Sequence, residues 1–398
     1  METGGKKLAV GDRITVDIGN VAHGGHFIAR HEGQVIFVRY GITGEKAIVE
    51  ITSVSSKVVR GDAVEILEAS PARVTPPCAY AHPGGCGGCD FQYIDVAFQR
   101  ELKRRVVIEQ FARLGGLTVD LEVEGVEPRD GLHWRSRMDF AVSPSGHLGL
   151  FGHRSNDVIE IDDCLIAAEG MHVSEVAKRK WNGPERVEIA YSGHSGKSQV
   201  NISRAGRSIS GPTELTEVVH GATYSISASS FWQSHIMAPT TLVDAALEKL
   251  GLRNGDVVCD LYGGVGLFAA AMAKKVGPTG MVHLIELDKR ATADAKKAFA
   301  AAKNVQVSVG KVENELRKVR KADVLLLDPP RTGAGKEVVE EMLRLAPRTI
   351  VYVSCDPASL ARDAKFLTEG GYSIEHLVGY DLFPMTSHIE CVVQFSRV

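Results

Sequence analysis

The stretch "DVVCDLYGGVGLFA" (residues 256–269) joins an apolar run to a glycine-rich turn. The run is rich in valine and leucine, as strands buried in a parallel sheet are. Its glycines permit a tight turn directly before a helix, where backbone N–H groups stay available to a ligand. The stretch therefore predicts the first strand, a ligand-binding turn and the next helix of a doubly wound α/β sheet.

The same alternation of strand and helix continues toward the C-terminus. Four further apolar runs follow the turn: "GMVHLIELD", "VQVSVG", "ADVLLLDPP" and "TIVYVSCDP". Helical stretches such as "DKRATADAKKAFAAAK" separate them, which predicts a parallel sheet covered on both faces. The last two runs, "SIEHLVGYDLF" and "HIECVVQF", have no helix between them, and we expect them to pair antiparallel. A Rossmann-like domain is thus predicted over residues 220–398.

Two further domains are expected before this sheet. Residues 8–68 show short alternating runs broken by glycine-rich turns, a pattern typical of a small OB-like β-barrel. The proline-containing stretch "SPARVTPPC" predicts a linker, and residues 69–219 mix a cysteine-rich loop, a basic helical stretch and strand-like segments. The sequence therefore predicts a multidomain α/β protein whose central α+β domain carries a metal site.

Composition excludes several classes of protein. The 398 residues are 44% hydrophobic and 24% charged, as in an ordinary globular chain, and the net charge is only −3. RNA binding therefore needs a local surface. The basic stretches at 100–114 and 129–154 are candidates, although a solvated helix or loop face is the favoured interpretation of each taken alone. No apolar run approaches a membrane span, and seven cysteines are too few for a disulfide framework. We expect a cytoplasmic monomer without membrane association.

The glycine-rich turn fits an adenosine-containing ligand. Gly264, Gly266 and Ala269 match G-x-G-x-x-A, and Glu286 ends the next predicted strand, where an acid can accept from ribose hydroxyls. A dinucleotide is an alternative ligand for this pattern. A tight turn followed by a helix-capping acid is the purely structural interpretation.

Two other predicted strands end in Asp-Pro. Proline stops each strand, so Asp328 in "LLLDPPR" and Cys355 and Asp356 in "YVSCDP" are expected at the rim where ligands bind. Glu390 in "HIECVVQF" is a carboxylate in an apolar strand, which is costly unless the residue caps an exposed edge or accepts a proton. Cys259, inside the first strand, is expected in the core.

Three cysteines are clustered in the central domain. Cys78, Cys86 and Cys89 form C-x7-C-x2-C with intervening glycines, and Cys164 is the remaining cysteine of that domain. Four thiolates suit a zinc site or an iron-sulfur cluster. Taken singly, Cys164 fits a core position equally well.

Together these motifs resemble the S-adenosylmethionine-dependent RNA 5-methyluridine methyltransferase family, in particular members with an N-terminal TRAM domain and an iron-sulfur cluster. The ordered set "DLYGGVGLF", "DPPRTGAG", "VSCDP" and "FPMTSHIECV" carries the resemblance, together with "SSFWQSHIMAPTTLV" and the strand-rich residues 8–68. It implies a class I methyltransferase sheet at the C-terminus and RNA as partner.

The resemblance also implies roles for individual residues. Cys355 would be the nucleophile and Glu390 the base; four residues would contact or border S-adenosylmethionine, namely Gln233, Tyr262, Glu286 and Asp328. A 4Fe-4S cluster would be bound by Cys78, Cys86, Cys89 and Cys164. Many members have five residues in the first cysteine gap where this chain has seven. Lys311 stands where many have Asp or Asn facing the adenine, so no adenine contact is assigned to it.

The implied reaction is methylation of carbon 5 of a uridine through a cysteine–uracil adduct, in ribosomal RNA rather than tRNA. Three alternatives remain open from the sequence. An RNA cytosine-5 methyltransferase resembles this chain but has a second cysteine near Arg331. An NAD-dependent oxidoreductase explains only the glycine-rich turn and Glu286. A non-catalytic RNA-binding or ribosome-assembly factor would need no Cys355.

Overall fold

The computed structural model describes residues 7–183, 185–202, 207–227 and 230–398. The first strands form a five-stranded N-terminal sheet of order β1-β4-β5-β3-β2. Its strands are β1 (Arg13–Asp17), β2 (Phe27–His31), β3 (Gln34–Arg39), β4 (Lys46–Val54) and β5 (Val59–Glu68). The predicted small OB-like barrel is not closed, because no described ladder joins β1 to β2. Only the segment after β1 reaches β2, through the Gly19 N–H to Ile28 O (2.7 Å) and the Ile28 N–H to Asn20 O (2.9 Å).

The N-terminal sheet does not have a core of its own. Its apolar side chains pack in one cluster with residues from beyond the linker: Phe91, Tyr93, Ile94, Leu102 and Val106. Helix α1 (Val96–Gln110) supplies the last two of these residues and begins at Asp95, whose carboxylate accepts from the N–H groups of Ala97 and Phe98. The sheet and α1 therefore share one hydrophobic core.

A six-stranded sheet of order β12-β11-β10-β7-β8-β9 occupies the middle of the chain. After α1, a π-helical turn and the short strand β6 (Val123–Gly125) precede it. The remaining elements are β7 (Arg137–Val142), β8 (Leu148–Phe151), β9 (Val158–Glu160), α2 (Val173–Ala177), β10 (Arg186–Tyr191), β11 (Ser198–Ile202), β12 (Arg207–Ser210), and the hairpin β13 (Glu214–Val219) and β14 (Ala222–Ser227).

The C-terminal sheet has the order β17-β16-β15-β18-β19-β21-β20-β6. Its elements are α3 (Ala238–Leu250), β15 (Val257–Leu261), α4 (Leu267–Val276), β16 (Met281–Glu286), α5 (Lys289–Ala298), β17 (Val305–Val309), α6 (Val312–Leu316), β18 (Val324–Leu327), α7 (Lys336–Leu345), β19 (Thr349–Ser354), α8 (Pro357–Glu369), β20 (Tyr372–Asp381) and β21 (Glu390–Arg397). Strands β15 to β19 are parallel, and β21 is antiparallel to both β19 and β20. The predicted doubly wound sheet and its antiparallel end are confirmed.

Helices cover both faces of this sheet. One core cluster packs α3, α4 and α5 against it, and the other packs α6, α7, α8 and α1. Strand β6 pairs with β20, so part of the region predicted as a central domain completes the C-terminal sheet. The limits 69–219 and 220–398 stay predictions. None of the helices in the described ranges combines the length and hydrophobicity needed to cross a membrane.

Candidate active site

The carboxyl ends of β15, β18 and β19 lie side by side. The parallel register pairs Leu261 with Leu327 and Leu327 with Tyr352. Tyr262 and Asp328 are therefore the first residues beyond neighbouring strand ends. This is the edge at which open α/β sheets bind their ligands.

Strand register brings Cys355 and Glu390 together. Ser354, the last residue of β19, pairs with Cys391 of the antiparallel β21. The next residue outward on each strand is Cys355 and Glu390, respectively. Two residues far apart in sequence thus face the same edge as Asp328.

Burial dominates the electrostatics of the two acids. Glu390 is 3% exposed, and its Oε1 has no hydrogen-bond partner in the described part of the chain. Burial, and then the charge of Asp328, raise the pKa of Glu390 well above its usual value. Burial also raises the pKa of Asp328 to about 7, against the opposing effect of the Gln233 amide, whose Nε2 donates to Oδ2 at 3.2 Å.

The Cys355 thiol is half-buried between these acids and a cation. Burial, Glu390 and Asp328 raise its pKa to about 12, while the Arg331 guanidinium opposes that rise. The site therefore holds a thiol, a carboxyl group of raised pKa and a hydrogen-bonded acid at one edge. Such a set suits covalent catalysis combined with proton transfer.

The glycine-rich turn is fixed by Glu286. Its Oε2 accepts from the Gly264 N–H at 3.0 Å and its Oε1 from the Asp288 N–H at 2.7 Å. Gly266 has a φ of 92°, and a Cβ there would overlap the ring of Phe299. The turn and the acid are thus held together, and the predicted helix α4 starts directly after Gly266.

Asp260 is an acid that was not predicted from the sequence to lie in the site. It is completely buried beneath the turn, and neither carboxylate oxygen has a hydrogen-bond partner within the described ranges. Burial raises its pKa to about 8. The signal was present in the sequence as one charge within an apolar strand, the same signal that identified Glu390.

The four cysteines Cys78, Cys86, Cys89 and Cys164 line a single cavity of about 130 Å³. The Gly88 N–H donates to the Cys86 sulfur at 3.3 Å, and the Gln92 amide donates to the Cys89 sulfur at 3.4 Å. Within the described residues, no three His, Cys, Asp or Glu side chains are arranged to hold a single metal ion. By contrast, Cys259 is fully buried in the C-terminal sheet, as predicted.

The basic stretch 100–114 offers less positive surface than its composition indicates. The Lys103 ammonium is buried against Asp381 at 2.6 Å. Three of its four arginines are ion-paired along the helix or beyond it: Arg104 with Glu101 and Asp120, Arg105 with Glu101, and Arg113 with Glu109. Pairing with acids accounts for most of the predicted positive charge.

Comparison with known proteins agrees with this architecture. A family model described as tRNA (Uracil-5-)-methyltransferase matches residues 213–398, and a TRAM domain model matches residues 7–64. An uncharacterized RNA methyltransferase of Streptomyces avermitilis is 42% identical over 96% of this chain and 98% of its own length. An uncharacterized RNA methyltransferase of Corynebacterium efficiens is 34% identical over 98% and 96% of the two chains.

A solved structure has the same fold. The tRNA (uracil-54, C5)-methyltransferase of Pyrococcus abyssi, crystallised with S-adenosyl-L-homocysteine, superposes with a TM-score of 0.71. It is 24% identical and covers 96% of this chain and 100% of its own. The fold and site thus define a class I S-adenosylmethionine-dependent RNA methyltransferase.

The chain belongs to the RNA (uracil-5-)-methyltransferase family, among members with an N-terminal TRAM domain. It is an enzyme that methylates uracil in RNA at carbon 5 with S-adenosylmethionine as donor. The alternatives of an NAD-dependent oxidoreductase and a non-catalytic RNA-binding factor are therefore wrong. So is the alternative of a cytosine-5 methyltransferase.

Proposed function

We propose that this enzyme methylates uridine through a covalent bond between Cys355 and the base. The observation that carries the proposal is the strand register that sets Cys355 beside Glu390. The Cys355 thiolate adds to carbon 6 of uracil, and the electrons of the C5–C6 double bond move toward O4 as an enolate. Carbon 5 would then attack the methyl group of S-adenosylmethionine, whose S–CH3 bond breaks so that S-adenosylhomocysteine leaves.

Glu390 is proposed to complete the reaction. After methyl transfer, carbon 5 still carries its proton, and the Glu390 carboxylate accepts it. The electrons of that C–H bond restore the C5–C6 double bond and expel the Cys355 thiolate. The raised pKa of Glu390 supports this role, since a carboxylate with high proton affinity is a better base.

Four residues are proposed to bind or border the methyl donor. Glu286 accepts from the ribose hydroxyls, and Tyr262 lies at the end of the same strand as the glycine-rich turn. Gln233 and Asp328 already contact each other, and Asp328 follows β18, the strand between β15, which precedes the turn, and β19, which precedes Cys355. Their placement at neighbouring strand ends supports a shared binding surface.

We infer that the cysteine-lined cavity binds a 4Fe-4S cluster. A cubane cluster takes one thiolate at each of four irons, so its ligands lie farther apart than those of a single ion. The shared cavity and the N–H donors to the Cys86 and Cys89 sulfurs support such a cluster. When bound, the cluster supplies four iron–sulfur bonds that tie the cysteine loop to Cys164.

Ribosomal RNA is the substrate that we infer, because the resemblance is to members that have both a TRAM domain and a cluster. The target uridine must leave its stack to reach Cys355, which a loop permits more readily than a duplex. Mapping 5-methyluridine by nuclease digestion and mass spectrometry in cells lacking the enzyme tests this inference. Loss from tRNA instead of ribosomal RNA would refute it.

The covalent mechanism is tested with the variants Cys355→Ala and Glu390→Gln, radiolabelled methyl donor and substrate RNA. On a denaturing gel, Glu390→Gln is expected to give a slow, methyl-labelled, nuclease-sensitive band, since transfer occurs but release does not. Cys355→Ala and the double variant are expected to give neither band nor product while still binding S-adenosylmethionine. Turnover by Cys355→Ala would exclude the proposed nucleophile.

A further inference from the structure

The loop that connects β1 to β2 in the TRAM domain, here called the TRAM loop (residues 18–26), reaches the candidate active site. The Nε2 atom of His23 lies 3.1 Å from Oδ2 of Asp356. Asp356 directly follows Cys355 in the chain. A side chain of the TRAM domain thus contacts the turn that carries the nucleophile.

Both carboxylate oxygens of Asp356 are engaged. Oδ1 accepts from the Ser359 N–H at 2.8 Å and caps α8, while Oδ2 faces His23. Burial by itself raises the pKa of Asp356, but the hydrogen bonds from His23 and Ser359 bring it down to about 2. Asp356 is therefore an anion at neutral pH and a strong acceptor for the His23 N–H.

The TRAM loop also packs against the segment that precedes Glu390. Gly25 has a φ of 79°, and a Cβ there would lie 2.7 Å from Cβ of Ser387. Ser387 is also held by Asp90, whose Oδ2 accepts from the Ser387 N–H and hydroxyl, each at 3.0 Å. One loop of the TRAM domain therefore touches both segments that bear the proposed nucleophile and base.

We propose that the TRAM loop is part of the catalytic site and that His23 is a positioning residue for Cys355. Its N–H holds Asp356, and Asp356 fixes the turn from β19 into α8 on which the thiol must meet carbon 6. This inference rests on the proposed covalent mechanism. It assigns to the TRAM domain a contribution to the rate of reaction, separate from RNA affinity.

Substitution of His23 tests the inference. Methyl transfer by the wild-type enzyme tests the proposed function separately. Displacing a reacting group by about 1 Å costs on the order of 100-fold in rate, so His23→Ala is expected to lower kcat by about 10- to 100-fold. KM for RNA is expected to stay within about threefold, since no RNA contact is removed. His23→Gln keeps an N–H donor and is expected to restore most of kcat.

His31→Ala is the matched control, because His31 ends β2 at the far end from the TRAM loop. Its kcat is expected to equal that of the wild type. Asp356→Asn keeps the oxygen that caps α8 but places an N–H group toward His23. Its combination with His23→Ala is expected to be no slower than either single variant, because the two residues act as one unit.

A rise in KM for RNA with unchanged kcat would make His23 an RNA contact and overturn the inference. Unchanged kinetics, or additive losses in the double variant, would also overturn it. If His23→Ala lowers the melting temperature, the kcat values of His23→Gln and Asp356→Asn decide whether His23 positions Cys355. Absence of methyl transfer by the wild type would instead refute the proposed function.

Discussion

Cys355 shows how single residues in this site set one another's reactivity. Its thiol is half-buried beside Glu390 and Asp328, and Arg331 is the cation that opposes them. Desolvation and two negative charges stabilise the neutral thiol, while the arginine stabilises the thiolate. The sequence predicted a rim position for Cys355 from the proline two residues later. It could not predict the pKa, which depends on residues that only the fold brings near.

The rate of adduct formation is expected to rise with pH. The thiolate is the reactive form, and a pKa raised to about 12 keeps its fraction small and increasing through the neutral range. Single-turnover rates at saturating RNA are thus expected to rise toward about tenfold per pH unit between about pH 6 and pH 9. Trapping with RNA that carries 5-fluorouridine measures this step, because fluorine cannot leave carbon 5 as a proton does.

Arg331→Gln removes the cation that favours the thiolate. The adduct is expected to form more slowly at every pH in this variant, with the same direction of pH dependence. Arg320→Gln, which alters an exposed arginine in the connection between α6 and β18, is the control. A pH-independent rate would show that the thiol passes its proton to a neighbouring carboxylate within the site.

At the scale of elements, helix α1 positions the segment that leads to Glu390. The Lys103 ammonium donates to Asp381 Oδ1 at 2.6 Å and to the Phe383 carbonyl at 3.0 Å. Gln99 accepts from the Met385 N–H at 2.8 Å through its Oε1. The helix therefore binds the end of β20 and the first part of its connection to β21. Its basic composition serves this packing as well as the surface.

Lys103→Met is expected to destabilise the protein by about 3–5 kcal/mol, because Asp381 is left as a buried charge without its partner. Burial lowers the pKa of Lys103, whereas the charge of Asp381 opposes that change. The charged form of Lys103 is therefore stabilised by its contact with Asp381. Thermal unfolding is the measurement. The double variant Lys103→Met/Asp381→Leu is expected to recover much of the loss; a double variant as unstable as the single one would contradict this account.

Elements were predictable where the signal was local. The strands β15, β16, β18 and β19 and the antiparallel end of the sheet follow from runs of apolar residues and from the presence or absence of an intervening helix. The pairing of β6 with β20 and the ion pair between Lys103 of α1 and Asp381 were not predicted. Both depend on partners hundreds of residues away, and three residues of β6 show no pattern of their own. The open N-terminal sheet likewise reflects pairing, which strand spacing does not specify.

At the scale of the whole molecule, the cysteine loop connects the proposed cluster to the active site. Cys89 is followed by Asp90, whose N–H donates to the Met385 carbonyl at 2.9 Å and whose carboxylate holds Ser387. The same carboxylate lies 3.9 Å from the buried guanidinium of Arg39 in the TRAM domain. The cysteine loop, the TRAM domain and the segment that precedes Glu390 thus meet around Asp90.

Cys86→Ser is therefore expected to affect more than metal content. Anaerobically purified wild-type enzyme is expected to be brown, with about four irons per chain, and the variant to lose the iron. Because the loop then loses its anchor, the melting temperature and kcat are expected to fall together. Cys259→Ala, which alters a buried cysteine outside the cavity, is expected to keep the iron. Zinc without iron in the wild type would exclude the 4Fe-4S cluster.

Removal of residues 1–68 is expected to unfold more than the TRAM domain. The deletion would expose five apolar side chains that complete its core: Phe91, Tyr93, Ile94, Leu102 and Val106. At roughly 1.5–3 kcal/mol for each buried side chain, their exposure costs on the order of 10 kcal/mol. That is comparable with the whole stability of a typical domain, about 5–15 kcal/mol. The truncated chain is therefore expected to aggregate or to melt far below the full-length enzyme.

Surface substitutions separate RNA binding from folding. Arg30→Gln and Lys57→Gln alter exposed cations in β2 and in the turn between β4 and β5, and leave the core of the N-terminal sheet intact. If the sheet binds phosphates, affinity for RNA is expected to fall, and the slope of its salt dependence to become shallower by about one for each phosphate that the variant no longer neutralises. Filter binding at several salt concentrations measures both quantities.

A truncated chain that stays monomeric and melts within a few degrees of the full-length enzyme would show that the N-terminal sheet is an independent domain, contrary to the core that it shares with α1.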